Sequence, residues 1–176
     1  MHEINVLIPP NDPSVSYYDC RYAVLREPIG FARGSEILAD DHQAIHAWIA
    51  NDTTTLSVGR AHLIPEGSDG ASADHAGPDA TRCPPFTSLS DSNNRPAVQI
   101  RQMGTRLEAR RRGYAADVLR ALELAANQHF GAKIGLLQAR EAAIPFYLSQ
   151  GWSIVDEPYT ISGIGPHRSM IKFFQT

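Results

Sequence analysis

Two hydrophobic periods alternate along the chain, and the places where one gives way to the other mark its elements. Residues 3–8 read as a short strand, closed by Pro9-Pro10 and the turn-forming Asn11-Asp12-Pro13. Ser14 or Ser16 then caps a helix whose apolar positions include Tyr18, Tyr22 and Leu25 at helical spacing, and Pro28 and Gly30 end it. A loop of glycine and small residues follows, through Gly34-Ser35-Glu36 and Asp40-Asp41. Residues 43–50 and 55–64 are two strand candidates joined by the turn Asn51-Asp52, which predicts an antiparallel hairpin.

From Ala97 the pattern sharpens. In a strand over 97–105, Val98 and Ile100 share one face while Gln99 and Arg101 share the other. Apolar character returns at Met103, an odd step from Ile100, so the alternation slips by one. A β-bulge leaves such a slip, and so does a lapse of pattern. Residues 113–130 form a helix with one apolar stripe through Ala115, Val118, Leu119, Leu122, Ala125, Ala126 and Phe130, and Gly131 supplies its stop. A strand at 133–139, a helix at 142–150 ended by Gly151 and a strand at 152–155 follow. The tail predicts a last strand pair, 159–161 and 169–174, around Gly163-Ile164-Gly165-Pro166-His167.

Residues 65–96 differ. This stretch holds five of the 12 prolines, three glycines and five Asp/Glu against two Arg, with Phe86 and Leu89 as its large apolar residues. So little apolar surface predicts a mobile surface insertion in a single domain over 1–176. The 176-residue length suits one domain, and a 43% hydrophobic content with 20% charged residues suits a globular core. No apolar run reaches the roughly 18 residues of a membrane span, and the first residues lack the basic region of a signal peptide. The expectation is a cytoplasmic protein with no membrane partner. Cys20 and Cys83 lack metal-site spacing and are too few for a disulfide framework. A homodimer is compatible with this composition.

The basic residues narrow the chemistry. Lys133 and Lys172 are the two lysines, and neither follows a glycine, so a Gly-Lys-Ser/Thr phosphate loop is excluded. Arg101, Arg106, Arg110, Arg111 and Arg112 crowd one short stretch. The net charge of −3 and the lack of interleaved aromatics there argue against nucleic-acid binding. In Met103-Gly104-Thr105-Arg106-Leu107-Glu108-Ala109-Arg110-Arg111-Arg112-Gly113-Tyr114-Ala115 a strand runs into an arginine-rich loop and then a helix start with small residues. Free N–H groups at a helix start bind anions, small residues admit a phosphate closely, and arginines add forked donors. The junction predicts a phosphate or pyrophosphate site.

Here a resemblance becomes specific. Arg110-x-x-Gly113-x-Ala115 after a strand looks like the acyl-CoA signature Arg/Gln-x-x-Gly-x-Gly/Ala of the GCN5-related N-acetyltransferase (GNAT) superfamily. Gln138-Ala139-Arg140-Glu141 and Ile144-Pro145-Phe146-Tyr147-Leu148-Ser149-Gln150-Gly151-Trp152 look like its second signature. Gly165-Pro166-His167-Arg168-Ser169-Met170 resembles a Pro-His-x-x-Met ending of some bacterial members. Order and spacing match over 4–174, apart from 65–96. The resemblance implies an α/β (α+β) fold, a mixed and mostly antiparallel central sheet splayed between the 97–105 and 133–139 strands and flanked by helices. It implies that the pantetheine arm of acetyl-CoA pairs with Met103, Gly104 and Thr105. The pyrophosphate is then expected on the N–H groups of Arg111, Arg112, Gly113, Tyr114 and Ala115, beside Arg110. Arg111 stands where many relatives carry glycine, and Ala115 replaces the second glycine.

The activity so implied is acyl-CoA-dependent N-acetylation of a primary amine, in a small molecule or a peptide, by direct attack. A lysine-type amine with a pKa near ~10.4 must lose a proton before it attacks, an oxyanion must be stabilised, and the departing thiolate gains from a proton donor. Tyr147 matches the family position of that acid. Some histone-acetylating relatives carry a glutamate where this chain has Gln99, so the base is sought in Glu36, His46 and His62, acting through water. His46 shares a strand face with Trp48, which also suits a structural histidine. His42 and His46 are four apart but lack a third ligand, so no metal is expected. His167, in the C-terminal turn, is a candidate for the acceptor opening. The rival reading is a non-catalytic module of the same fold that holds acyl-CoA and regulates a partner.

Overall fold

A computed structural model describes residues 2–73, 78 and 80–175. Strands are numbered in chain order: β1 Glu3–Leu7, β2 Ile45–Ala50, β3 Thr55–Leu63, β4 Ser72–Ala73, β5 Arg82–Cys83, β6 Ala97–Thr105, β7 Ile134–Arg140, β8 Ser153–Ile161 and β9 Gly165–Phe173. The helices are α1 Val15–Leu25, α2 Tyr114–Phe130 and α3 Ile144–Ser149. Seven strands form one sheet in the order β1-β2-β3-β6-β7-β9-β8, with β4 and β5 as a separate pair. It is a mixed α/β structure whose sheet is mostly antiparallel. The described residues fall into two compact units, Met1–His62 with Ile100–His129, and Leu63–Gln99 with Phe130–Thr176. Among them no helix is long and apolar enough to cross a membrane.

In the first unit, the β2–β3 hairpin forms where the alternating residues and Asn51 turn predict it. The Asn51 side chain accepts from the Thr53 and Thr54 N–H groups. Ser14, not Ser16, caps α1 by accepting from the Tyr17 N–H at 3.4 Å. Gly59 of β3 leaves room for Met103, Val118 and Leu122, since a Cβ there would collide with all three side chains. The apolar stripe of α2 is buried at Val118, Leu119, Leu122 and Ala126. Helix α1 buries Tyr17 and Cys20 with Val58, flanked by Tyr18, Val24 and Trp48.

In the second unit, Ile64, Phe86, Leu89, Ala97, Ile134, Leu136 and Ile171 make one buried cluster. Phe86 and Leu89 come from the stretch read as too poor in apolar residues to pack, yet both are at most 4% exposed. Backbone and guanidinium bonds secure them: Phe86 N–H donates to the Asp69 carbonyl at 2.8 Å, and Arg95 donates to the Leu89, Pro65 and Ser68 carbonyls. The expected insertion also covers residues 74–77 and 79, which lie outside the described residues. The C-terminal strands differ from the sequence pattern too. Residues 153–155 and 159–161 belong to one strand, β8, which leaves out Trp152, and β9 starts at Gly165 instead of Ser169. The pairing shifts register between Val155 and Tyr159, where Asp156 takes a left-handed φ of 65°. That irregularity breaks the alternation that would have joined the two segments.

Candidate functional site

The phase slip in β6 has a backbone counterpart. Gln102 has a left-handed φ of 58°, the conformation of a bulge residue and an uncommon one for a residue with a Cβ. Arg26, 7% exposed at the end of α1, donates to the Gln102 side-chain oxygen at 2.9 Å and to the Ser35 carbonyl at 3.1 Å. Gly104 sits against α1, where a Cβ would come 2.7 Å from Val24 Cγ1. The Thr105 hydroxyl lies 2.8 Å from that of Ser57. Met103, Gly104 and Thr105 therefore have their side-chain positions occupied by packing, and what remains distinctive is their backbone.

After β6, the Arg106 side chain turns inward to the Thr55 carbonyl, at 2.8 Å, and takes no part in the exposed basic cluster. Arg110, Arg111 and Arg112 are exposed, with Arg110 Nε donating to the Thr105 carbonyl at 3.2 Å. Arg111 and Gly113 are both left-handed, at φ 65° and 82°. Arg111 thus holds a conformation that glycine adopts without strain and arginine does not. Asp117 N–H donates to the Gly113 carbonyl, which opens α2 and leaves the N–H groups of Tyr114, Ala115 and Ala116 without intrahelical acceptors. A Cβ placed on Gly113 would meet no heavy atom within 4 Å, so the loop is open there. Exposed guanidinium groups, open first-turn N–H groups and a left-handed glycine fit an anionic diphosphate. The Tyr114 hydroxyl lies 2.8 Å from His2 Nδ1, which ties the helix start to the beginning of the chain.

The residues considered as bases have particular surroundings. His46 is fully buried, with Nε2 donating to the Asp41 carbonyl at 2.7 Å and Nδ1 2.9 Å from the Tyr17 hydroxyl. Burial pushes its pKa down to about 4. Burial, with help from the Arg60 charge, pushes that of His62 to about 3. Both are neutral, weakly basic rings. The Glu36 carboxylate, 2% exposed, accepts from the Gly34 N–H at 2.7 Å and faces Arg33 Nε at 3.7 Å. Around them lies a network that the sequence did not disclose. Arg21 pairs with Asp41 at 2.8 Å, and Arg60 with Asp41 at 3.4 Å and Asp40 at 2.8 Å. Arg21, Arg60 and Asp41 are at most 1% exposed. Single charges inside alternating or helical segments read as solvent-facing, and only their mutual pairing makes burial tolerable.

In the second unit, Pro145 lies in the first turn of α3 and Tyr147 is buried, its ring 5.1 Å from Phe146 and 6.3 Å from Trp152. Its backbone carbonyl accepts from the Trp152 N–H at 3.0 Å, which fixes the turn through Gly151. Burial pushes the phenol pKa up to about 12. Gln99 is 1% exposed and donates to the Gln138 side-chain oxygen at 3.3 Å, so this strand position holds a paired amide. His167, 5% exposed, donates from Nδ1 to the Gly165 carbonyl at 2.8 Å and stacks near Tyr159, with ring centroids 5.8 Å apart.

No family model matches the chain, and no curated protein matches its sequence. Solved structures do. An acyl-CoA N-acyltransferase from Pseudomonas aeruginosa is similar at a TM-score of 0.66, with 15% identity over 98% of this chain and 99% of that one. Escherichia coli ElaA has a TM-score of 0.64 and 17% identity over 98% and 99%. A GNAT family acetyltransferase from Elizabethkingia anophelis, with acetyl-CoA bound, has a TM-score of 0.56 and 12% identity over 98% of each chain. Likeness over nearly the whole length, at identities this low, is a likeness of backbone path. This chain has the fold of the GCN5-related N-acetyltransferases.

Proposed function

We propose that the protein is an acyl-CoA-dependent N-acyltransferase that moves acetyl from acetyl-CoA to a primary amine by direct attack. The observation that carries this reading is the β6-to-α2 junction. Two left-handed residues, three exposed arginines and an open helix start stand there in the order of the acyl-CoA signature. The solved relatives with this fold include an acyl-CoA N-acyltransferase and one with acetyl-CoA bound, which supports the choice of co-substrate. Bound acetyl-CoA would supply an activated acyl group as its thioester.

The roles of the residues follow from their chemistry. The N–H groups of 111–115 and the guanidinium of Arg110 hold the diphosphate. The β6 backbone at Met103, Gly104 and Thr105 pairs with the pantetheine amides, and an N–H there takes the developing oxyanion. As the amine nitrogen bonds to the acyl carbon and the carbon–sulfur bond breaks, Tyr147 passes its proton to the sulfur. A phenol at about 12 is a weak acid. Burial raises the basicity of a thiolate in the same environment as well, so the transfer depends on the difference between the two. The amine's own proton leaves through water, since His46 and His62 at about 4 and 3 are poor acceptors. One observation favours the rival reading of a non-catalytic acyl-CoA binder: Gln99 offers an amide where a carboxylate would serve. Amine-dependent release of CoA thiol, measured across a panel of primary amines, decides between them. Release supports the transferase. Tight acetyl-CoA binding with no release supports the binder.

A further inference from the structure

The end of the β7–β9 pair carries two buried polar groups, on Gln138 and Ser169, that no described residue satisfies. Gln138 and Ser169 are register partners, as are Arg140 and His167, so antiparallel pairing puts all four on one face of the sheet. Gln99 joins this face through its bond to Gln138, and Tyr159 through its register pairing with His167. Ser169 is fully buried, and its hydroxyl has no hydrogen-bond partner among the described residues. The Gln138 amide nitrogen is likewise buried and unpartnered, its oxygen already taken by Gln99. Arg140 is exposed at the rim. Native structures leave few buried polar groups unpaired, because each costs on the order of 1–3 kcal/mol.

The chemistry of these atoms selects a ligand. Gln138 Nε2, the Ser169 hydroxyl and the Arg140 guanidinium are donors, and one of them is a forked cation suited to a carboxylate. His167 spends its Nδ1–H on the Gly165 carbonyl, so in the neutral ring Nε2 is an acceptor. Donors in a row with one acceptor beside them match a molecule that carries a carboxylate close to an N–H group. We infer that this face is the acceptor subsite and that the amine acceptor is amino-acid-like, its carboxylate taken by Arg140, Gln138 and Ser169. The inference rests on the transferase reading. It adds a substrate class to it, since a site built to hydrogen-bond one group strongly rejects analogues lacking that group.

The test compares matched pairs of acceptors: L-alanine, L-leucine and L-phenylalanine against ethylamine, isopentylamine and phenethylamine. Acetyl-CoA binding is followed separately by calorimetry. At least a tenfold preference in kcat/KM for the carboxylate-bearing member is expected. Arg140→Gln should bring that preference close to unity while acetyl-CoA affinity stays within a factor of two, and Ser169→Ala should reduce it partway. Equal rates for both members, or a preference untouched in Arg140→Gln, would overturn the subsite, and so would a resident water as the sole occupant of Ser169 and Gln138. If no amine turns over while acetyl-CoA binds, N-acetyl-L-alanine and N-acetylethylamine serve as binding probes. Selective binding of the first, lost in Arg140→Gln, then upholds the subsite although the transferase reading fails, and equal or absent binding overturns both.

Discussion

Tyr147 sits between Phe146 and Trp152 with its phenol held at about 12, and that value shapes how its role can be tested. Its protonated form persists through the neutral range, so the rate profile should show no ionisation of this group below about pH 10. Tyr147→Phe keeps the ring and removes the hydroxyl. It should lower kcat by roughly 100-fold and leave acetyl-CoA affinity within about threefold, by steady-state kinetics and calorimetry. Gly113 presents the opposite case, a residue defined by its backbone. At φ 82°, with open space around it, a valine there strains the loop and fills the space proposed for the diphosphate. Gly113→Val should weaken acetyl-CoA binding at least tenfold, about 1.4 kcal/mol, in a protein that still folds. Unchanged affinity would remove the diphosphate from this loop.

At the scale of elements, the run from β6 through α2 to β7 was legible because each part keeps one period. Val98 and Ile100 alternate, the stripe through Val118, Leu119, Leu122 and Ala126 repeats helically, and Gly131 stops it. Even the β6 irregularity left its mark, as the odd step from Ile100 to Met103 surrounds the left-handed Gln102. What stayed hidden depends on partners distant in sequence. Phe86 and Leu89 gain their burial from Ile64, Ala97, Ile134, Leu136 and Ile171, which no local count of apolar residues can reveal. Phe86→Ala should therefore cost about 3–5 kcal/mol in chemical denaturation, the range for an aromatic removed from a core. A cost under about 1 kcal/mol would return the 65–96 stretch to the surface role that its composition suggests. The candidate site divides the same way. The β6-to-α2 junction, where the diphosphate is proposed to bind, keeps its signature within one short run, whereas the buried Arg21–Asp41–Arg60 pairing and the Ser169 hydroxyl, without a hydrogen-bond partner among the described residues, depend on distant strands.

Across the whole molecule, buried histidines couple stability to acid. His46 has a folded pKa of about 4 against an ordinary 6.5, lowered chiefly by burial, and His62 about 3. Below pH 6.5 the unfolded chain binds protons that the folded chain does not, so stability present above 6.5 is lost as pH falls toward the folded values. For His46 the loss by pH 4 is on the order of 3 kcal/mol, at about 1.4 kcal/mol per unit. Asp40 and Asp41 act lower down. Burial opposes their ionisation, but Arg60 and Arg21 outweigh it and hold both below 3.8, so their contribution is lost only beneath that value. Urea midpoints should fall from pH 6.5 to 4, and His46→Gln should flatten that slope by about one proton. A slope unchanged in the variant would mean that His46 titrates normally in the folded protein.

Acyl transfer to an amine is measured most directly as the appearance of CoA thiol and N-acetyl product when the purified protein meets acetyl-CoA and a panel of primary amines. Thiol release should depend on the amine, run in one-to-one ratio with acetylated product by mass spectrometry, and fall roughly 100-fold in Tyr147→Phe. Acetyl-CoA bound with release no faster than the uncatalysed reaction, for every amine tried, would contradict it.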